Sequence, residues 1–215
     1  MVKIILTARE TELADAWKRF CGDLECVSIY RGSILDVSCD AVVSLANSFG
    51  FMDGGIDLIY SRYFGWHVQK RLQNAIATKH HGELLLGSAE IVETDNPRIS
   101  YVIAAPTMRV PTILKDSVNP YLAARAALLL IKHGIFSEGI LAGEAIADAI
   151  QTIAFPGFGT GVGRVEPYTC AHQMRSAIED VILEKSTFPQ SWSDAQARHQ
   201  RLYTDRIRNL QYEIG

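Results

Sequence analysis

Two glycine-rich turns, each placed directly after a short buried strand, constrain the fold of this chain most. Residues 40–46, Asp-Ala-Val-Val-Ser-Leu-Ala, are β-branched and nearly uncharged, which is typical of a strand buried on both faces of a parallel sheet. A second apolar run, 151–155, leads straight into Pro-Gly. Such strands alternating with helices predict an α/β domain with a largely parallel sheet, whose ligand lies beyond the carboxyl ends of the strands. We therefore expect both turns to border one site.

The rest of the chain continues this alternation of strands and helices. Further strands are predicted over 3–7, 25–30, 84–93 and 100–104, and helices over 11–20, 56–79 with a break at Gly65, 119–132 and from 166 onward. Residues 1–187 are predicted to form one domain. Residues 188–215 are predicted to form an amphipathic helical extension that docks on the domain or on another subunit, with one apolar face made by Tyr203, Ile207, Leu210 and Ile214.

Composition and charge exclude several classes of function. A net charge of −3 and an isoelectric point near 6.1 supply no basic field, so nucleic acid is not an expected partner. The apolar start reaches only Thr7, which is too short for a signal peptide, and no run is suited to span a membrane. Four cysteines without a Cys-x-x-Cys pair favour a reducing compartment, and we expect the cytoplasm. The adjacent His80 and His81 do not make a metal site, and no metal is expected.

Both turns carry features suited to phosphate. In the first, Gly54 and Gly55 open a helix, whose free backbone amides attract anions. In the second, Phe-Pro-Gly-Phe-Gly-Thr-Gly-Val-Gly over 155–163, alternate glycines permit close backbone approach and Thr160 adds a hydroxyl. Neither turn matches the P-loop or the dinucleotide-binding glycine pattern, so no nicotinamide or ATP-motor function and no bound cofactor are expected. Together they are suited to enclose a diphosphate.

Four segments, in order and spacing, resemble the macrodomain family. They are Gly32-Ser33-Ile34, Asp-Ala-Val-Val-Ser-Leu-Ala-Asn over 40–47, Asp53-Gly54-Gly55-Ile56-Asp57, and the second glycine turn over 155–163. The resemblance covers about residues 25–185, and it is closest to a bacterial or phage-related branch that also carries Ala-x-Gln-Met-x-x-Ala, here 171–177.

This resemblance implies a three-layer α/β/α domain with a central mixed, largely parallel sheet and ADP-ribose in a cleft on its crest. The two glycine turns would grip the phosphates, Asn47 would meet the distal ribose, and Asp57 would be the acidic residue of the hydrolytic subgroup. A carboxylate by the anomeric carbon orients a water or steadies a developing oxocarbenium ion. The full set of expected ligand-binding residues is Ser33, Ile34, Asn47, Gly54, Gly55, Ile56, Phe158, Gly159, Thr160, Gly161, Val162 and Gly163.

Three positions depart from the family pattern. Ser33 replaces the usual adenine-reading Asp, so we expect weak discrimination among nucleobases. Ser44 replaces the first Asn of Asn-x-x-Asn. Gly163 replaces an aromatic residue that walls the distal ribose, a role left open for Phe49, Phe51 or Phe158.

Three functions remain open from the sequence. The leading hypothesis is an enzyme that hydrolyses ADP-ribosyl esters, on a protein or a nucleic-acid end, or ADP-ribose 1″-phosphate, with Asn47 and Asp57 as catalytic residues. The second is a non-catalytic module that binds ADP-ribose, a related nucleotide or an ADP-ribosylated protein. The third is a phage-like accessory protein with a vestigial pocket. Oligomerisation through the C-terminal helix would support this third function. The simpler alternatives for the two residues are that Asn47 caps a turn and Asp57 complements a helix dipole.

Overall fold

The computed structural model describes residues 1–45 and 47–208, and these form one mixed sheet flanked by helices. Its strands stand in the order β2-β1-β6-β3-β5-β4, and every neighbouring pair is parallel except β4 with β5. The expectation of a mixed, largely parallel sheet is thereby confirmed. The strands are β1 Lys3–Ala8, β2 Val27–Arg31, β3 Ala41–Ser44, β4 Glu90–Glu93, β5 Tyr101–Ala104 and β6 Thr152–Phe155.

The helices follow the sequence pattern closely. Gly65 separates α2 from α3, as expected. Its φ of 104° is positive, a backbone conformation that glycine tolerates best. The helices are α1 Thr11–Cys21, α2 Gly55–Phe64, α3 His67–Lys79, α4 Asn119–His133, α5 Ile146–Ala149, α6 Pro167–Val181 and α7 Trp192–Arg201, with a short 3₁₀ turn Ile34–Asp36.

The extent of one predicted strand needs correction. The strand expected over 84–93 is confined to β4, because residues 84–89 form turns and the amide of Leu84 donates instead to the carbonyl of Ser48. Asn119 does not cap α4 with its side chain. Its amide nitrogen Nδ2 donates to the carbonyl of Thr107 at 2.8 Å and so ties the helix start to the loop after β5.

Alternate side chains of the strands enter two cores, one on each face of the sheet. On one face Ile4 and Val43 pack with α1, α4 and α6, and on the other Val42 and Val102 pack with α2 and α3. A strand buried on both faces has no polar side to present to water, which accounts for the absence of charge over 41–44. The molecule therefore has three layers, helices, sheet and helices.

The carboxyl ends of the parallel strands meet at one edge of the sheet, and both glycine turns lie there. The loop between β5 and α4 crosses the same edge and joins the two turns. Its Arg109 carbonyl accepts from the amide of Ser48 at 3.2 Å, and its Leu114 amide donates to the carbonyl of Gly163 at 2.7 Å. We call residues 106–114 the strap.

The C-terminal extension contains α7, which packs on the domain of its own chain. The Nε2 atom of His172 lies 2.8 Å from the carbonyl of Arg201, at the end of α7. Two members of the expected apolar face, Leu210 and Ile214, lie outside the described residues. Among residues 1–45 and 47–208, no helix has both the length and the apolar character needed to cross a membrane.

Candidate functional site

A cleft of about 180 Å³ opens at the carboxyl ends of β1, β2 and β6. Four residues that the sequence predicts for the site line it together: Ser33, Ile34, Ile56 and Thr160. Three larger cavities measure about 590, 460 and 270 Å³. They lie by α3 and β4, between α4, α6 and α7, and beside the turn 95–97, and none of the predicted residues lines any of them. The position beyond the strand ends thus favours the small cleft as the ligand site.

The first glycine turn leaves the start of α2 open to an anion. Gly54 is the N-cap and has no side chain to accept from the first free amides of the helix. A Cβ placed on Gly54 or on Gly55 would meet no atom within 4 Å, so the space in front of these amides is empty. With the helix dipole added, this end of α2 is suited to a phosphate group.

Among the last three glycines of the second turn, one is open and two are packed. A Cβ on Gly161 would meet no atom within 4 Å, whereas a Cβ on Gly163 would lie 2.6 Å from the carbonyl oxygen of Gly159. Gly159 itself has a φ of 71°. Gly161 therefore borders open space, and the other two glycines shape the turn itself.

Two apolar residues of the second turn differ in their exposure to solvent. The ring of Phe158 is fully buried against Phe155, with ring centroids 5.8 Å apart. A ligand contact at Phe158 would therefore use its backbone. Val162 is 65% exposed and projects from the turn.

Ser33 and Ile34 stand at the end of the cleft next to β2. The hydroxyl oxygen of Ser33 accepts from the amide of Leu35 at 3.3 Å and so caps the short 3₁₀ turn that follows. The side chain of Ile34 is buried beneath the cleft. The serine hydroxyl is thus used locally, which weakens it further as an acceptor for a nucleobase.

Asn47 organises the first turn through its own side chain. Its Oδ1 accepts from the amides of Phe49 and Phe51 at 3.1 and 3.4 Å, and its Nδ2 donates to the carbonyl of Phe51 at 3.1 Å. This is the capping role that an Asn fills when its amide mimics a backbone turn. In this structure the Asn47 amide is engaged within the chain.

Asp57 is buried, with 7% of its surface exposed, and faces the end of β3. The Ser44 hydroxyl donates to its Oδ1 at 2.5 Å. Burial raises the pKa of Asp57 to about 7, although the hydrogen bond from Ser44 favours the ionised form and opposes that rise. Tyr60 is buried alongside and donates to the carbonyl of Val43 at 3.1 Å. Asp57 does not line the 180 Å³ cleft.

Two charged residues in the cleft were missed from the sequence. Arg9 and Glu10, between β1 and α1, line the cleft beside Ser33. No motif marks them, because their place depends on the pairing of β1 with β2. The only available signal was their position directly after a predicted strand.

The strap was also missed, and it accounts for the glycine at position 163. Arg109 holds Glu83 through two hydrogen bonds of 2.6 and 3.1 Å, and its guanidinium lies 5.1 Å from the centre of the Phe49 ring. The Leu114 side chain sits 3.1 Å from where a Cβ of Gly163 would be. The space beside residue 163 is therefore occupied by the chain itself. Of the proposed replacement aromatics, Phe51 is the most exposed, at 53%.

The described residues contain no group of three or more His, Cys, Asp or Glu placed to hold a metal ion. The Nε2 atom of His80 lies 2.9 Å from the carboxylate of Glu90. This pair lies away from the 180 Å³ cleft.

An α/β/α domain with two glycine turns at the carboxyl ends of its strands defines the class of protein. The Macro domain family model matches residues 43–174, more than half of the chain. An uncharacterized protein of Aquifex aeolicus (strain VF5) is 30% identical over 162 residues, which cover 74% of this chain and 86% of that protein. The chain therefore belongs to the macrodomain family.

Solved structures have the same fold. A mutant of the Oceanobacillus iheyensis macrodomain, determined with ADPR, matches with a TM-score of 0.57 and 18% identity over 72% of this chain and 77% of that one. The Trypanosoma brucei macrodomain in complex with ADP-ribose matches with a TM-score of 0.51 and 20% identity over 83% and 67%. At these identities the likeness concerns the fold.

Proposed function

We propose that this protein binds ADP-ribose or a closely related nucleotide in the 180 Å³ cleft and across the two glycine turns beside it. The observation that carries the proposal is the open start of α2 at Gly54 and Gly55, directly before Ile56, which lines the cleft together with Thr160 of the second turn. Two macrodomains of the same fold are described with ADPR or ADP-ribose. The family, the fold and the local geometry thus support one ligand class.

The diphosphate is proposed to lie between residues 54–57 and 159–163. The unpaired amides at the start of α2 supply donors on one side, and the open backbone at Gly161 permits close approach on the other. Ligand pockets usually measure roughly 300–1,000 Å³. The cleft alone is smaller, at about 180 Å³, so we infer that it holds one end of the nucleotide and the rest lies across the open turns.

Calorimetric titration with ADP-ribose tests this proposal. We expect Gly161→Glu to abolish the binding heat, because the substitution puts bulk and negative charge where phosphate is proposed to lie. Gly161→Ala is the matched control and should retain binding, since a Cβ there meets no atom within 4 Å. Both variants should melt near the wild-type temperature. An unchanged titration of Gly161→Glu would remove the phosphate site from this turn.

Hydrolysis of ADP-ribosyl esters or of ADP-ribose 1″-phosphate is a second candidate function, favoured by one observation. A carboxyl whose pKa is raised to about 7, as for Asp57, is suited to transfer a proton near neutral pH. The burial of Asp57 and its bond to Ser44 favour the binding module instead, because the carboxylate faces β3 and not the cleft. Catalysis would require this pair to open when substrate binds.

The partner implied by either function is an ADP-ribosylated protein, and the four free cysteines favour a reducing cytoplasm. An accessory protein with a vestigial pocket is the remaining alternative. Absence of any heat with ADP-ribose, together with self-association through the C-terminal extension in light scattering, would favour that alternative.

A further inference from the structure

The pairing of β1 with β2 brings a carboxylate next to Ser33. Ala8 stands opposite Arg31 in the parallel register, and the amide of Gly32 donates to the carbonyl of Ala8 at 2.9 Å. Glu10 follows Ala8 by two residues and Ser33 follows Arg31 by two residues, so both residues leave the sheet at this paired end. Adjacent strands lie roughly 5 Å apart, so the two side chains serve the same end of the cleft, and both line it.

The Glu10 carboxylate is not used by the fold. Glu10 is the N-cap residue of α1, yet its side chain makes no capping hydrogen bond. Within residues 1–45 and 47–208 its carboxylate has neither an ion-pair partner nor a hydrogen-bond donor, and the residue is exposed. The Ser33 hydroxyl, in contrast, already accepts from Leu35. Glu10 is therefore the available acceptor at this end of the cleft.

We propose that Glu10 determines base specificity by accepting a hydrogen bond from the exocyclic amine of adenine. This inference rests on the proposed binding of ADP-ribose. The amide of Ile34, at the start of the 3₁₀ turn, supplies a neighbouring donor for the adjacent ring nitrogen. Acceptor and donor side by side match the hydrogen-bonding edge of adenine. Glu10 thus supplies the charged acceptor that Ser33 lacks.

With Glu10 as the acceptor, we expect strong discrimination between adenine and other bases, in place of the weak discrimination expected from Ser33. In hypoxanthine the amine of adenine becomes a carbonyl oxygen, which a carboxylate repels and cannot bond. Sites built to bond a particular donor disfavour analogues that lack it, because the acceptor covered by the bound ligand then has no hydrogen-bond partner. Inosine diphosphate ribose differs from ADP-ribose at this group and is therefore the discriminating ligand.

Titration of the wild type with both ligands tests the role of Glu10. We expect ADP-ribose to bind at least about tenfold more tightly than inosine diphosphate ribose, because the Glu10 carboxylate accepts a hydrogen bond from the adenine amine and repels the hypoxanthine carbonyl. Glu10→Gln should reduce this preference to about threefold or less, because the neutral amide can turn its NH₂ toward the carbonyl oxygen. Glu12→Gln is the matched control, since Glu12 is exposed on α1 outside the cleft and should leave the preference unchanged.

The outcomes separate this inference from the proposed function. If the wild type shows no binding heat with ADP-ribose, both the proposed ADP-ribose binding and the role of Glu10 are overturned. Normal ADP-ribose affinity with an unchanged preference in Glu10→Gln, or with no preference in the wild type, would overturn the role of Glu10 alone. Glu10→Ala provides a second variant without a donor, and it should weaken ADP-ribose selectively while thermal melts report intact folding.

Discussion

The hydroxyl of Ser44, the last residue of β3, donates a 2.5 Å hydrogen bond to the buried carboxylate of Asp57 in the first turn of α2. The bond ties the start of the helix to the end of the strand, next to the proposed phosphate site. It places Asp57 on the sheet side of α2. Asp57, the residue expected to act on the ligand, therefore also helps to hold the start of α2 in place beside the proposed phosphate site.

The first prediction concerns stability and pH. The pKa of Asp57 in the folded protein, about 7, lies above its ordinary value of 3.8, so the folded state holds this proton more tightly than the unfolded state. The stabilising contribution is fully present below about pH 4 and is lost as pH rises through 7. We expect the free energy of unfolding to fall by on the order of 2–4 kcal/mol across this range on account of Asp57.

Urea denaturation of Asp57→Asn between pH 5 and pH 8 measures this contribution. The neutral amide should flatten the pH dependence, because it has no proton to lose. Asp53→Asn serves as the control, since Asp53 is exposed in the same turn and should leave the slope as in the wild type. Equal slopes for all three proteins would contradict the raised pKa.

The second prediction separates catalysis from binding. If the protein hydrolyses ADP-ribosyl esters, Asp57→Ala should lower the rate strongly and leave ADP-ribose affinity within about tenfold, because the phosphates are held by backbone amides. The measurements are ADP-ribose release from a protein mono-ADP-ribosylated on acidic residues and phosphate release from ADP-ribose 1″-phosphate. Equal rates in wild type and variant would exclude Asp57 as the catalytic carboxylate, and tight binding without turnover would assign the binding module.

The third prediction concerns Asn47 and the order of the first turn. Asn47→Ala removes the hydrogen bonds to Phe49 and Phe51, so we expect a loss of about 1–2 kcal/mol in the free energy of unfolding and weaker ADP-ribose binding. Asn47→Asp keeps the acceptor for both amides and should be destabilised less. Denaturant titration compares the two variants. A wild-type midpoint for Asn47→Ala would show that the side chain does not support the turn.

The fourth prediction compares two glycines of the second turn. Gly163→Ala should lower the free energy of unfolding by roughly 1–3 kcal/mol, because its Cβ would lie 2.6 Å from the Gly159 carbonyl oxygen and 3.1 Å from Leu114. Gly161→Ala should melt near the wild-type temperature. Equal melting temperatures for the two variants would refute the packing of the strap against the turn.

Local pattern was sufficient for most of the fold. The nearly uncharged run 40–46 predicted a strand buried on both faces, and Gly65 predicted the break between α2 and α3, because each depends on a few adjacent residues. The extent of β4 was wrong, since its partner β5 and the turn at Leu84 decide where pairing begins. Pairing between distant segments has no local signature.

The candidate site likewise has features that local sequence predicted and contacts that only the tertiary structure decided. The sequence by itself determined the two glycine turns and the strand ends that carry them, because buried apolar runs and glycine pairs act over short spans of chain. Only the tertiary structure decided that Glu10 and Ser33 line the same cleft, that Ser44 holds Asp57, and that Leu114 fills the space beside Gly163. Each of these contacts joins residues far apart along the chain or in separate elements. Sheet register and packing fix them, and neither can be obtained from the residues of one segment alone.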